Sequence, residues 1–326
     1  MAQAALGSIT AIGANTAEEL ATVLIREEGG SFLVNGRQPP AWLRRMLAAT
    51  NKPLIISLDD PRVAIGELAS HNGVDLASAT RLVGCSCVSM MSCIALPSAL
   101  VVHADRDWHQ PLETAVAIAH HLGLSVGSGD IERAVADLAA IGRRGETDLP
   151  GSDASQPNEA TLPVTSGAVA PYRAHFMGAP LEPITWAREV FLADGHQPAT
   201  HAVDITGRTR ALIYGPYISL PPGNWVAEVV LGFSREAAEV NFLVDVLTAG
   251  SQLSVTSIRP MQAGIFSVNL SFMIGDDNDH PVEFRVINEH AAFDGRVMLG
   301  HVTLTLQNNP SSEAVDLLTT ELGLSR

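Results

Sequence analysis

Two different spacings of apolar residues divide this chain, and no single layer of secondary structure satisfies both. Over residues 1–142, short apolar runs alternate with segments whose apolar residues recur at helical spacing. Thr16-Ala-Glu-Glu19 reads as a capping box for a helix reaching about Glu28, stopped by Gly29-Gly30, and a short strand is expected at 31–35. Pro39-Pro40 opens a helix over 41–49 with Trp42, Leu43, Met46 and Leu47 on its apolar face. A buried strand at 53–58, a turn at Asp59-Asp60-Pro61 and a helix from Arg62 to Ser70 follow. A long helical region runs from Asp75 to about Ala95, where Pro97 ends it. A strand at 99–104 and helices at 111–122 and 130–141 complete this part. Strands alternating with helices predict an α/β domain with a parallel sheet over 1–142. Residues 143–171, rich in Gly, Ser, Asp, Pro, Thr and Glu, read as a linker. From 172 to 307 about seven short alternating runs separated by turns predict a jelly-roll-like antiparallel β-sandwich. Ser311 or Ser312 then caps a C-terminal helix within 308–326.

Charge narrows the partners. The 326 residues carry 35 Asp plus Glu against 20 Lys plus Arg, with Lys52 the sole lysine, for a net charge of −15. An acidic surface argues against nucleic acid and against anionic membrane. The segment 1–30 has no basic start followed by an apolar core of signal length, and no apolar run of 18 residues is read, so no membrane span is expected. Cys85, Cys87 and Cys93 are an odd, clustered set, which reads as buried thiols in a reducing, cytoplasmic compartment. No metal or cofactor is expected: His120 and His121 are adjacent on a helix and cannot both face one ion. The acidic turn Asp276-Asp277-Asn278-Asp279 reads as a solvated hairpin tip.

The stretch 54–68 has the strand, turn and helix at which open α/β sheets place their ligands. With Leu100-Val-Val-His-Ala-Asp-Arg-Asp107 and the pair of helices 111–124 and 130–135, its Asp60-Pro61-Arg62 turn resembles the C-terminal part of the sulfotransferase family over about 32–141. That resemblance implies a P-loop-type α/β fold binding 3′-phosphoadenylyl sulfate. The family's Lys/Arg-Ser-Gly-Thr phosphate loop has no counterpart in residues 1–34, and its phosphate-binding Arg and Ser correspond here to Asp59 and Glu67. A carboxylate about 4 Å from a phosphate costs roughly 1 kcal/mol in bulk water and about 4 kcal/mol at the effective dielectric of a surface site. The expected state is therefore degenerate and non-catalytic. The alternative is an active sulfo- or glycosyltransferase with a divergent donor site, using His71 or His103 as general base.

In the second half, Asp204-Ile-Thr-Gly-Arg-Thr-Arg-Ala-Leu-Ile-Tyr-Gly-Pro-Tyr-Ile-Ser-Leu-Pro-Pro-Gly-Asn-Trp225 resembles the start of a carbohydrate-binding-module-like, galactose-binding-type β-sandwich. Glu283-Phe-Arg-Val-Ile-Asn288 and Val297-Met-Leu-Gly-His-Val-Thr-Leu304 fit its last two strands. Sugars are held by flat apolar faces and planar polar groups. Tyr214, Tyr217 and Trp225, with Arg208, Arg285, Asn288 and Glu289, supply both kinds. Tyr217 and Trp225 also fit a second role as core or turn-packing residues. The leading expectation is a non-catalytic protein that binds a glycan or glycoconjugate in bacterial surface polysaccharide metabolism. A structural or assembly module, with a protein partner or self-association, is the third class.

Overall fold

The computed structural model describes residues 9–12, 17–26, 31–34, 38–107, 109–148, 162–199, 202–278 and 280–307. The expected capping residue Thr16 and the expected C-terminal helix within 308–326 lie outside the described residues. The chain divides into two units: Met1–Gly73 with Cys85–Asn158, and Val74–Gly84 with Glu159–Arg326.

In the first unit, β1 (Ile9–Ile12) pairs in parallel with β2 (Ser31–Val34), and α1 (Ala17–Arg26) lies between them in sequence. After α2 (Ala41–Thr50), β3 (Leu54–Leu58) pairs in parallel with β4 (Ala99–His103), in register from Leu54 opposite Ala99 to Leu58 opposite His103. The helices are α3 (Pro61–His71), α4 (Leu76–Ile94, of which the part up to Gly84 groups with the second unit), α5 (Ala104–Asp107), α6 (Pro111–His121) and α7 (Ser128–Asp148). Parallel pairing with helical crossovers agrees with the expected α/β character. Among the described residues it takes the form of two separate two-stranded pairs, not one continuous sheet, and β1 falls where no strand was expected. Ile56, Leu58, Ile65 and Val102 are buried around β3 and β4, and Ala115, Ala119 and Ile131 form a small core between α6 and α7 with Leu124, Val126 and Val135. The His121 ring Nε2 lies 3.2 Å from the Leu54 carbonyl and 3.0 Å from that of Ser98, so this histidine serves the strand entrances. Cys87 and Cys93 are buried and Cys85 partly so; none of the three forms a disulfide, and burial pushes the Cys87 thiol up to about 12.

One expectation needs correction. The stretch 143–171 is not wholly aperiodic: α7 continues to Asp148, and α8 (Leu162–Phe176) carries Pro171 inside it. Packing overrides propensity there, because Ala168, Val169 and Tyr172 are buried and a side chain at Gly167 would meet the Thr185 carbonyl at 2.8 Å. Further, α4 has 19 residues and a window of mean hydropathy 1.3, so by length and composition it is apolar enough to cross a membrane. Of that window 44% is buried within the protein, and its Arg81 donates to two backbone carbonyls.

The second unit is an antiparallel β-sandwich. One sheet has the order β13 (Gly264–Ile274), β10 (Gly223–Phe233), β15 (Arg296–Gln307), β5 (Ile184–Ala187), with β8 (Val203–Asp204) also on β15. The other has the order β12 (Ser251–Ile258), β11 (Phe242–Thr248), β14 (Val282–Asn288), β9 (Arg210–Ile218), β6 (Leu192–Ala193), β7 (Gln197–Pro198). Strict alternation in β14 builds the sandwich: Val282, Phe284, Val286 and Asn288 are buried, whereas Glu283, Arg285 and Ile287 are not. Phe284 packs edge-on against Trp186 and Phe272, at ring distances of 5.8 Å and 6.0 Å, which locates the core between the sheets.

Candidate functional site

On the outer face of the six-stranded sheet, β9, β14 and β11 lie side by side, and their register puts Tyr214 opposite Arg285 and Arg285 opposite Asp245. The Arg285 guanidinium grips the Asp245 carboxylate with both prongs: Nε donates to Oδ1 at 3.0 Å and Nη2 to Oδ2 at 2.6 Å. Asp245 is hidden, with its side chain 4% exposed, while Arg285 keeps 31% of its side chain in solvent. At one end of this row the Tyr214 hydroxyl lies 2.9 Å from His196 Nδ1, their rings edge to face.

One step along the same strands, the Tyr217 hydroxyl donates to Glu283 Oε1 at 2.9 Å. Burial first, then the hydrogen bond and negative charge of Glu283, push the Tyr217 phenol up to about 12, so it stays a donor throughout the neutral range. Tyr217 occupies a left-handed conformation, φ 64°, directly after the cis Gly215–Pro216 bond. Arg81 of α4 supports this corner: Nε donates to the Pro216 carbonyl at 2.7 Å and Nη2 to the Val190 carbonyl at 2.7 Å. The arrangement brings together two partly exposed tyrosines with a partly exposed arginine and glutamate.

The other expected ligand residues fall elsewhere. Trp225 is 1% exposed and its indole Nε1 donates to the Pro221 carbonyl at 2.9 Å; it packs the core and offers no face to a ligand, which corrects the expectation. Asn288 is fully buried and is likewise corrected to a structural clamp: its Oδ1 accepts from Arg210 N at 2.8 Å, and its Nδ2 donates to the carbonyls of Arg208 and His290. Arg208 and Glu289 lie at this end of β14, about 10 Å along the strand from Arg285 at ~3.3 Å per residue. Arg208 is exposed, and the Glu289 carboxylate accepts from Ser257 at 3.4 Å. Nearby, Phe293 is 99% exposed although Ala292 beside it exchanges two backbone hydrogen bonds with Gly207.

In the first unit, His103 ends β4 with 9% exposure, and its backbone N–H donates to Asp107 Oδ2 at 2.8 Å. The side chain of His71 lies outside the described residues. Asp60 caps α3, its Oδ1 accepting from Arg62 N at 3.0 Å, and its Oδ2 pairs with the Arg62 guanidinium at 2.6 Å. Among the described residues no group of three or more His, Cys, Asp or Glu is placed to hold a metal ion. At the acidic turn, Asn278 Oδ1 accepts from Thr248 Oγ1 and from His280 N, while Asp279 lies outside the described residues.

Sequence reading missed Glu283, Asp245, His196 and Arg81. Their strands and helices were legible, but cross-strand register and the approach of a residue more than a hundred positions away leave no local signal.

The fold and this patch define a class, a two-sheet antiparallel sandwich with an aromatic and charged outer face. No family model and no curated protein matches the chain. Among solved structures, the chain is similar to the CBM36-1 domain of a multidomain xylanase from the hindgut metagenome of Trinervitermes trinervoides. That match has 6% identity and TM-score 0.27, covering 39% of this chain and 100% of that one. It is similar also to the C-terminal CBM6 of LamC from Zobellia galactanivorans, with 12% identity and TM-score 0.25, covering 38% and 99%. A cyclase from Fischerella sp. TAU matches at 11% identity and TM-score 0.25, covering 40% and 88%.

Proposed function

We propose that the sandwich is a saccharide-binding module whose ligand lies on the outer face of the six-stranded sheet. The carrying observation is the juxtaposition of Tyr214 and Tyr217 with the Arg285 guanidinium and Glu283 carboxylate on adjacent strands. Phenol rings supply apolar faces for sugar C–H surfaces, and the charged planar groups match vicinal hydroxyls. Hydrogen bonds to His196, Glu283 and Asp245 hold these groups before any ligand arrives, which lowers the ordering cost of binding.

The reading makes the protein a non-catalytic accessory of surface polysaccharide metabolism in a bacterial cytoplasm. The first unit is consistent with it: where the sulfotransferase resemblance would place the phosphate-binding Arg and Ser, this chain carries the carboxylates of Asp59 and Glu67. Cys85, Cys87 and Cys93, none of them in a disulfide, favour a reducing compartment. The test is a glycan array followed by calorimetric titration of the full chain. Tyr214→Ala and Tyr217→Ala are each expected to weaken binding by about 1–2 kcal/mol, as for central aromatic contacts, and Trp225→Phe to leave affinity unchanged in the folded protein. Absence of binding to every saccharide overturns the reading.

A further inference from the structure

The segment Val74–Gly84 groups with the sandwich although more than a hundred residues separate it from β9. It begins its own helix: Asp75 accepts from Ser78 N at 2.9 Å through Oδ1, and its carbonyl accepts from Ala79 N. Within α4, Arg81 and Gly84 are three apart and share a face. Arg81 Nε holds the carbonyl of Pro216, and its Nη2 holds that of Val190. Gly84 approaches so closely that a Cβ there would meet Ile218 Cγ2 at 2.9 Å. The two contacts therefore flank Tyr217, the residue with φ 64° whose hydroxyl binds Glu283. Ala79 and Thr80 on the same stretch are fully buried, so the helix is seated and not merely adjacent.

We infer that this helical segment is a clamp on the ligand face: Arg81 holds the backbone before Tyr217 and Gly84 packs against the Ile218 side chain after it, so that seating of the helix sets saccharide affinity. The inference rests on the saccharide-binding reading and adds its regulation. Arg81 is a positioning residue that acts through the Pro216 carbonyl and touches no ligand. Coupling is reciprocal by thermodynamic necessity, so a saccharide on Tyr217 also holds the helix in place. Lysine cannot replace Arg81, because one ammonium does not span two carbonyls in the fixed geometry of the guanidinium fork.

The experiment uses the full chain labelled with tyrosine carrying 13C at Cζ, as wild type, Arg81→Ala, Arg81→Lys and Gly84→Ala. Alanine favours helix over glycine, so Gly84→Ala perturbs the seat without weakening the helix itself. Binding is titrated with cellohexaose, xylohexaose and β-1,4-galactotriose, and the Tyr217 resonance is assigned with Tyr217→Phe. The expected result is at least tenfold weaker binding in Arg81→Ala and Gly84→Ala, no rescue by Arg81→Lys, and a displaced Tyr217 resonance with that of Tyr172 unmoved. Affinity within twofold of wild type, or weaker binding with the Tyr217 resonance in place, overturns the clamp. If wild type binds none of the three probes, the Tyr217 resonance alone decides: displacement supports the clamp and constancy overturns it, while the saccharide reading is judged on the array.

Discussion

Arg285 and Asp245 share one ion pair but differ in what each has to lose. With its side chain only 4% exposed, Asp245 has little access to water if the guanidinium is removed, whereas Arg285 at 31% can turn to solvent. Removing one partner of a buried pair costs about 3–5 kcal/mol. Arg285→Ala is expected near the lower end of that range, and Asp245→Ala at less than half of it, as measured by urea unfolding; equal losses would contradict this account. Arg285, charged in any state of the chain by its intrinsic basicity, is raised further in the folded protein, chiefly by its hydrogen bond to Asp245. Tyr217 gives the pH signature of the site. Its folded value is raised above the ordinary 10.0 to about 12, so the folded state holds the proton more tightly. The resulting stabilisation is complete below the unfolded value and is lost as pH rises through about 12. Glu283→Gln, which removes the negative charge and weakens the acceptor, is expected to flatten the fall in melting temperature between pH 10.0 and 12.

At the scale of elements, α8 shows how contact with a sheet rescues a sequence that reads as a linker. Gly167, Ala168, Val169 and Pro171 give little helical amphipathicity, yet α8 lies on β5 through a backbone-to-backbone approach at Gly167. The obstacle to a larger residue there is the Thr185 carbonyl, which cannot rotate away as a side chain would. Gly167→Val is therefore expected to cost about 1–3 kcal/mol, the usual scale of overpacking, measured as a lower melting temperature with the sheet signal in far-UV circular dichroism retained. A neutral outcome would mean that α8 slides on β5. The strands were legible for the opposite reason: β14 alternates buried and partly exposed residues without a break from Val282 to Asn288, so its inner face is written in its period. Trp225 shows the limit of that reading. Its place in β10 was readable, but which side of the sheet it faces depends on register with β13 and β15, and it proved to be core.

For the whole molecule, the boundary between units does not follow the boundary between sequence patterns. The sandwich is completed by Val74–Gly84, drawn from the half whose pattern is α/β. A fragment beginning at residue 159 lacks the fully buried Ala79 and Thr80 and leaves the Pro216 and Val190 carbonyls without Arg81. Such a fragment is expected to melt lower than a fragment beginning at 72, and a synthetic peptide of residues 72–94 added in excess is expected to raise its melting temperature by mass action. Identical melting of the two fragments would refute the seat. The sequence by itself determined what is local: the period of each segment, the turn at Asp59-Asp60-Pro61, the acidic charge, and the candidacy of Tyr214, Tyr217 and Arg285 as polar and aromatic residues on strands. Tertiary structure alone decided which of those residues meet. Register brought Tyr214, Arg285 and Asp245 into one row, separated Arg208, Asn288 and Glu289 from them, and turned Trp225 inward. Periodicity fixes the face a side chain takes relative to its own strand, whereas pairing and long-range packing, which cost chain entropy that local sequence does not encode, fix its neighbours.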